Sequence, residues 1–334
     1  MILIDAFEIP FMKFFPAVNT ASNGSPRSYA LPAVFKSIEL LLPRDRLFNR
    51  MLPIPLAAIL GLALSAGSAT AAERVLAIGG AVTEIIYALG EEDRLIARDS
   101  TSTYPPEAME LPDVGYMRAL SPEGVLSIEP DLILARGNAG PAEAIEVLQA
   151  ASVEWVTVPD DFTMQGVDDN VRIVADALGV PDKGQVLRRK LAAELAEVTA
   201  ATAGLEQRKK VLFILSLRDG RITAAGTDTA AHSIIGLAGA VNAIPEISGY
   251  KPISDEAVIT ADPDVILMMQ RGASGAQHGA DNSMITEHPA LGSTTAARDS
   301  AILRMDGLYI LGFGPRVGEA ARELSAAIYP NASN

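Results

Sequence analysis

The chain has 334 residues, enough for two domains, and 49% of them are hydrophobic, which favours folded domains over extensive disorder. Its net charge of −14 excludes a nucleic-acid binder, because contacts with phosphates need a basic face, and an acidic surface also keeps a soluble protein monomeric. The chain has no cysteine, so disulfides, zinc–thiolate sites, thiol nucleophiles and a cysteine-linked lipid anchor are excluded.

Residues 51–72 predict a secretory signal peptide. An uncharged apolar run follows three arginines and precedes a series of small residues, with cleavage expected near Ala71-Ala72, and we therefore expect the mature protein in the periplasm. The alternative, a transmembrane anchor, fits less well because the run is short and contains two prolines. Residues 1–50 are interpreted as a leader assigned in error, with the true start near Met51.

After the signal peptide, short apolar runs alternate with helix-like segments, a pattern typical of parallel α/β units. Strands are predicted at 75–79, 95–97, 132–135, 153–158, 211–215 and 265–269. Helices are predicted to begin within 83–89 and to cover 167–178 and 183–205. The last of these is rich in alanine and carries leucines four residues apart, so it predicts one long amphipathic helix.

An internal repeat divides the chain into two similar halves. Residues 120–134 (LSPEGVLSIEPDLIL) and 253–267 (ISDEAVITADPDVIL) share Ser, Glu, Val, Pro, Asp, Ile and Leu at a constant offset of 133 residues. We therefore predict an N-terminal lobe over 73–182, a linking helix over 183–206 and a C-terminal lobe over 207–334. The expected fold is α/β, with two Rossmann-like lobes, each with a central parallel sheet, joined by one long helix and enclosing a ligand cleft.

Over 73–334 the chain resembles the helix-linked class of periplasmic binding proteins, which serve importers of ferric siderophores, cobalamin and haem. The segments 104–108 (YPPEA), 111–121 (LPDVGYMRALS) and 249–254 (GYKPIS) are similar to its haem-specific branch. The resemblance implies a carrier rather than an enzyme, with haem as its transported ligand and no catalytic cofactor. The implied partners are the permease and ATPase of an inner-membrane ABC transporter, with an outer-membrane haem receptor upstream.

On this resemblance Tyr116 is the candidate axial ligand of ferric haem, since a phenolate is a hard oxygen donor and tyrosine is a known haem ligand. Arg118 would hydrogen-bond the Tyr116 oxygen, and an extended loop would place residues i and i+2 on one side. The alternatives are an aromatic that stacks on another ligand for Tyr116, and a surface salt bridge for Arg118.

Haem carries two propionates, so its pocket needs cations. Arg271 and Arg218 each follow a predicted strand where a cleft-facing loop should begin, and Lys251 follows Tyr250 opposite Tyr116 in the repeat. Each of these three cations is a candidate partner of a propionate and could equally be a solvated surface charge. Tyr250 is a candidate second ligand, stacking wall or packing residue.

Members of this class dock on the permease through an acidic residue on each lobe. Glu143 fits this position in the first lobe, although it could be an ordinary surface charge, and Asp281 is the nearest acid in the second.

Two alternatives to a haem carrier stay open. One is a ferric siderophore or cobalamin carrier of the same fold. The other, a metal chelatase, would need a His or carboxylate cluster, and the chain has only three scattered histidines.

Overall fold

The computed structural model describes residues 72–205, 207–270 and 282–330, which all lie within one compact unit of the chain. Several predicted features lie outside the described residues: the leader, residues 51–71 of the signal peptide, Arg271 and Asp281. The described strands are β1 Val75–Ile78, β2 Leu95–Arg98, β3 Leu132–Arg136, β4 Glu154–Val158, β5 Lys210–Arg218, β6 Arg221–Ala225, β7 Val241–Asn242, β8 Tyr250–Ile253, β9 Val265–Gln270 and β10 Ile302–Asp306. The described helices are α1 Gly80–Ala88, α2 Pro122–Leu126, α3 Ala142–Ala150, α4 Met164–Ala177, α5 Pro181–Ala203, α6 Ala230–Leu237, α7 Asp255–Ala261, α8 Asn282–Thr286, α9 Thr295–Arg298, α10 Gly307–Leu311 and α11 Val317–Ile328.

The first sheet is parallel throughout, with the order β2-β1-β3-β4. Its two central strands, β1 and β3, are buried along their whole length. Strands covered on both faces read as continuous apolar runs rather than alternating ones, which is why the sequence VLAI and the sequence LILA were recognisable as strands. All six strands predicted from the sequence are present in the structure, as β1 to β5 and β9.

The second sheet is mixed, with the order β10-β9-β5-β6-β8. β9 and β10 run parallel to β5, as predicted, but β6 is antiparallel to both β5 and β8. The reversal occurs at Asp219-Gly220, where both residues have a positive φ, of 51° and 70°. A two-residue turn of this kind forces the flanking strands to pair antiparallel. The two-lobed α/β fold is therefore confirmed, and the expectation of a purely parallel second sheet is corrected.

The internal repeat folds as one structural unit in each lobe. Ser121 begins α2 and Ser254 begins α7, and each side chain accepts a hydrogen bond from the backbone N–H three residues further on. Each helix leads into a residue with positive φ, Glu129 in the first copy and Asp262 in the second, before β3 or β9 begins. The matched sequences thus encode matched helix–turn–strand units.

The long helix α5 lies between the two sheets in the chain. It begins two residues before the predicted start because Pro181 occupies its first turn, where a missing N–H costs nothing. Leu187, Leu191 and Leu195 are buried on one face, and the helix packs against α4 and α11. In the part of the chain that the structure describes, no helix is both long enough and apolar enough to cross a membrane.

Candidate functional site

A cavity of about 890 Å³ lies between the two sheets and is lined by residues from both halves of the chain. Its walls include the carboxyl ends of parallel strands: Gly79 follows β1, Arg136 ends β3, Gln270 ends β9 and Asp306 ends β10. Ligands of open α/β sheets bind beyond this end of the strands. The cavity is thus in the position that the sequence predicted for a ligand cleft.

Tyr116 and Arg118 both line this cavity on the first-lobe side. They lie in a tight turn closed by a hydrogen bond from the Ala119 N–H to the Tyr116 carbonyl, not in the extended loop that we expected. Met117, between them, turns inward and is only 8% exposed, whereas 46% of Tyr116 is exposed. In this structure no hydrogen bond joins Tyr116 and Arg118, and among the described residues neither side chain has a hydrogen-bond partner.

Tyr250 faces the same cavity from the second lobe. Burial raises the pKa of its hydroxyl. Three interactions lower this pKa in part: a hydrogen bond from the Ala231 N–H, the charge of Arg118 and a hydrogen bond with Thr229. Ala231 lies in the first turn of α6, so the start of that helix supports the phenol oxygen. Two tyrosines and Arg118 therefore share one cleft.

The cations predicted as propionate partners have different positions. Arg218 is the last residue of β5 and lines the cavity. Lys251 is exposed but does not line it, because successive side chains of a strand point to opposite faces and Tyr250 occupies the cavity side of β8. Arg271 lies outside the described residues.

Arg136 and Asp160 line the cavity as an ion pair that sequence analysis missed. The Nε and Nη2 atoms of Arg136 lie 2.9 and 2.7 Å from one oxygen of Asp160, and the arginine is only 6% exposed. Its position at the end of a predicted strand was the same signal that singled out Arg218. What the sequence did not reveal was the partner, which lies in the loop after β4.

Gly79 connects β1 to α1 beneath this arginine, with φ of +107°. A Cβ atom built there would lie 2.3 Å from Cγ of Arg136. We expect Gly79→Ala to lower the free energy of unfolding by at least about 1–3 kcal/mol, from backbone strain alone. Urea denaturation would measure this loss, and Gly204→Ala, where a Cβ meets no neighbour within 4 Å, is the control.

Within the described residues, no three His, Asp or Glu side chains are grouped so that they could hold a metal ion. His288 is 9% exposed and its Nε2 lies 3.1 Å from the Gly220 carbonyl, a contact within the fold of the second lobe. Glu143 lies in the first turn of α3 and is exposed on the surface.

Comparisons with known proteins agree with this architecture. The profile of the family described as "Periplasmic binding protein" matches residues 75–308. The periplasmic heme-binding protein RhuT from Roseiflexus sp. RS-1, solved in apo form, is 36% identical with a TM-score of 0.73, over 78% of this chain and 99% of that one.

Two sequence relatives carry other descriptions. The uncharacterized ABC transporter substrate-binding lipoprotein YvrC of Bacillus subtilis is 27% identical over 78% of this chain and 81% of its own length. A vitamin B12-binding protein of Vibrio parahaemolyticus is 29% identical over 60% of this chain and 72% of its own length. The match of the family profile over most of the chain, together with the two sheets and the cleft between them, shows that this chain belongs to the periplasmic binding protein family.

Proposed function

We propose that the protein captures haem in the cleft between its lobes and delivers it to an ABC importer. The observation that carries this proposal is the exposed Tyr116 on a tight turn facing a cavity that also presents Arg118, Arg136 and Arg218. Haem requires two features of its binding site: an oxygen donor for the ferric iron and cations for its two carboxylates. The likeness to a heme-binding protein at 36% identity supports the same ligand.

Tyr116 is the proposed axial ligand. A free tyrosine titrates near pH 10, so the phenolate must be favoured by a positive charge at neutral pH. Ferric iron supplies most of that charge when haem is bound. Arg118 is two residues away on the same turn and lines the same cavity, so it would stabilise the phenolate from the protein side. A single oxygen ligand also lets the cargo leave when the carrier meets its transporter.

Cobalamin is the second candidate, because a vitamin B12-binding protein is among the sequence relatives. Its corrin side chains are neutral amides, whereas haem carries two carboxylates. A cleft with three arginines in its wall therefore fits haem better than cobalamin.

We further propose that the mature protein is exported by the segment 51–72 and works as a monomer with lobes 73–182 and 207–334, linked by the helix of 183–206. Its partners would be an ABC permease and ATPase, with an outer-membrane haem receptor upstream. Glu143, exposed at the start of α3, is the proposed docking residue of the first lobe.

Titration of the purified apo protein with hemin tests the proposal. We expect a saturable complex whose visible spectrum shows ferric-tyrosinate charge-transfer bands, and an excess of cyanocobalamin should not displace the hemin. Saturable binding of cyanocobalamin without those bands would instead support the second candidate.

A further inference from the structure

The turn that carries Tyr116 is held by the backbone of the first lobe on both sides. Before the tyrosine, residues 112–115 pair with residues 98–100, at the end of β2, through three hydrogen bonds of 2.9 Å. After it, the Met117 carbonyl accepts a hydrogen bond of 2.8 Å from the Gly140 N–H, and the Met117 side chain is buried. Tyr116 therefore projects into the cleft from a turn whose two ends are fixed.

Gly115, directly before Tyr116, has a backbone conformation that its own steric limits do not fix. Its φ is +97°, and a Cβ atom built on it would have no neighbour within 4 Å. Glycine adopts positive and negative φ about equally well, so contacts with other residues must select one conformation. A rotation at Gly115 would swing the phenol of Tyr116 through the cleft.

The carboxylate of Asp113 provides such a contact. Its Oδ1 atom accepts a hydrogen bond of 2.8 Å from the Gly115 N–H, two residues further on, in a turn that aspartate side chains commonly form. Its Oδ2 atom lies 3.0 Å from Nη1 of Arg98. The guanidinium of Arg98 also donates to the carbonyls of Ala108 and Asp99, each over 3.0 Å, so it is a fixed support for the carboxylate.

We propose that Asp113 is a positioning residue for Tyr116: by fixing Gly115, it holds the phenol oxygen in the direction required to ligate the iron of haem. This inference rests on the proposed function and adds a residue that does not itself line the cavity. With 40% of the Asp113 side chain exposed, its salt bridge contributes little to folding stability. Its contribution is to binding, because a ligating group that is ordered beforehand costs less to immobilise when the cargo arrives.

Asp113→Ala tests the proposal, because it removes both contacts of the carboxylate. We expect hemin binding to weaken by on the order of tenfold, the usual effect of a hydrogen bond to a charged group, and the ferric-tyrosinate bands to lose intensity. The midpoint of urea unfolding of the apo protein should change little. Asp113→Asn should recover part of the affinity, since its amide oxygen can still accept the Gly115 N–H.

Asp169→Ala is the matched control. Asp169 also pairs with an arginine, Arg172, and its side chain is likewise 40% exposed, but it lies in α4 and not in the turn. Its removal should leave both the hemin affinity and the tyrosinate bands as they are in the wild type.

The same Asp113→Ala substitution in a Tyr116→Phe background separates an effect through Tyr116 from a general effect on the cleft. Because that background has no phenol to position, its hemin affinity should change by no more than about twofold, the usual scatter of such cycles. An equal loss in both backgrounds, or unchanged affinity and bands when Tyr116 is present, overturns the assignment of Asp113. Absence of hemin binding and of tyrosinate bands in the wild type would instead reject the proposed function itself.

Discussion

Tyr116→Phe should abolish the ferric-tyrosinate absorption of the hemin complex and weaken hemin binding by roughly a hundredfold, which corresponds to about 2.7 kcal/mol. The substitution removes the only donor atom of the side chain and keeps the ring, so packing against the porphyrin should change little. Because 46% of Tyr116 is exposed in the cleft and its oxygen has no hydrogen-bond partner among the described residues, the apo protein should lose little stability. Visible spectroscopy and fluorescence titration would measure the two effects.

Tyr250→Phe is the matched control, because Tyr250 is the other tyrosine in the wall of the same cavity. Its hydroxyl already interacts with the Ala231 N–H and Thr229, and burial holds its pKa above the ordinary value, so it is poorly prepared to become a phenolate. We expect its charge-transfer bands to match those of the wild type. If the bands persist in Tyr116→Phe and vanish in Tyr250→Phe, the axial ligand is Tyr250 instead.

Much of the fold was predictable because its signals are local. The matched segments 120–134 and 253–267 fold as the same helix–turn–strand unit, and the leucines of 183–205 form the buried face of α5. The hairpin between β5 and β6 was also encoded locally, by Asp219-Gly220 between two apolar runs. It was missed because the alternating pattern of the preceding segments favoured another parallel strand.

The site was less predictable because its geometry depends on contacts that are distant in sequence. Arg136 meets Asp160 only because β3 and β4 pair in parallel, with Arg136 opposite Val158. Lys251 and Tyr250 are adjacent in sequence, yet strand geometry places them on opposite faces. A sequence identifies such residue types, but the pairing of strands decides which of them share a cavity.

A second contact of this long-range kind joins the lobes. Glu84 of α1 and Arg316, just before α11, are 232 residues apart and form two hydrogen bonds of 2.9 and 2.6 Å. Glu84 is 5% exposed, and the guanidinium of Arg316 lies 3.5 Å from the ring centre of Tyr104 and 4.9 Å from that of Tyr309. The ion pair therefore holds α1, whose first turn lines the ligand cleft, against the second half of the chain.

Arg316→Met should lower the free energy of unfolding by about 3–5 kcal/mol, because it leaves the carboxylate of Glu84 buried without its counter-charge. Methionine keeps much of the apolar stem, so the loss reports mainly on the charge. The double variant Glu84→Gln/Arg316→Met should recover most of the stability, since it leaves no buried charge unpaired. Arg172→Met, which removes exposed salt bridges with Asp169 and Asp176, should cost less than about 1 kcal/mol.

The loss of stability caused by Arg316→Met should also depend on pH. Burial already raises the pKa of Glu84 above 4.5 in the wild type, although the hydrogen bonds and charge of Arg316 lower it in part. Without Arg316 the pKa of Glu84 in the folded state rises further, so the folded variant binds a proton more tightly than the unfolded chain. The free energy of unfolding of the variant should therefore be closest to that of the wild type at acid pH, near 4.5. It should fall as the pH rises through the folded-state pKa of Glu84. Urea denaturation at several pH values would measure the difference, and a loss that is independent of pH would show that Glu84 is not the group left unpaired.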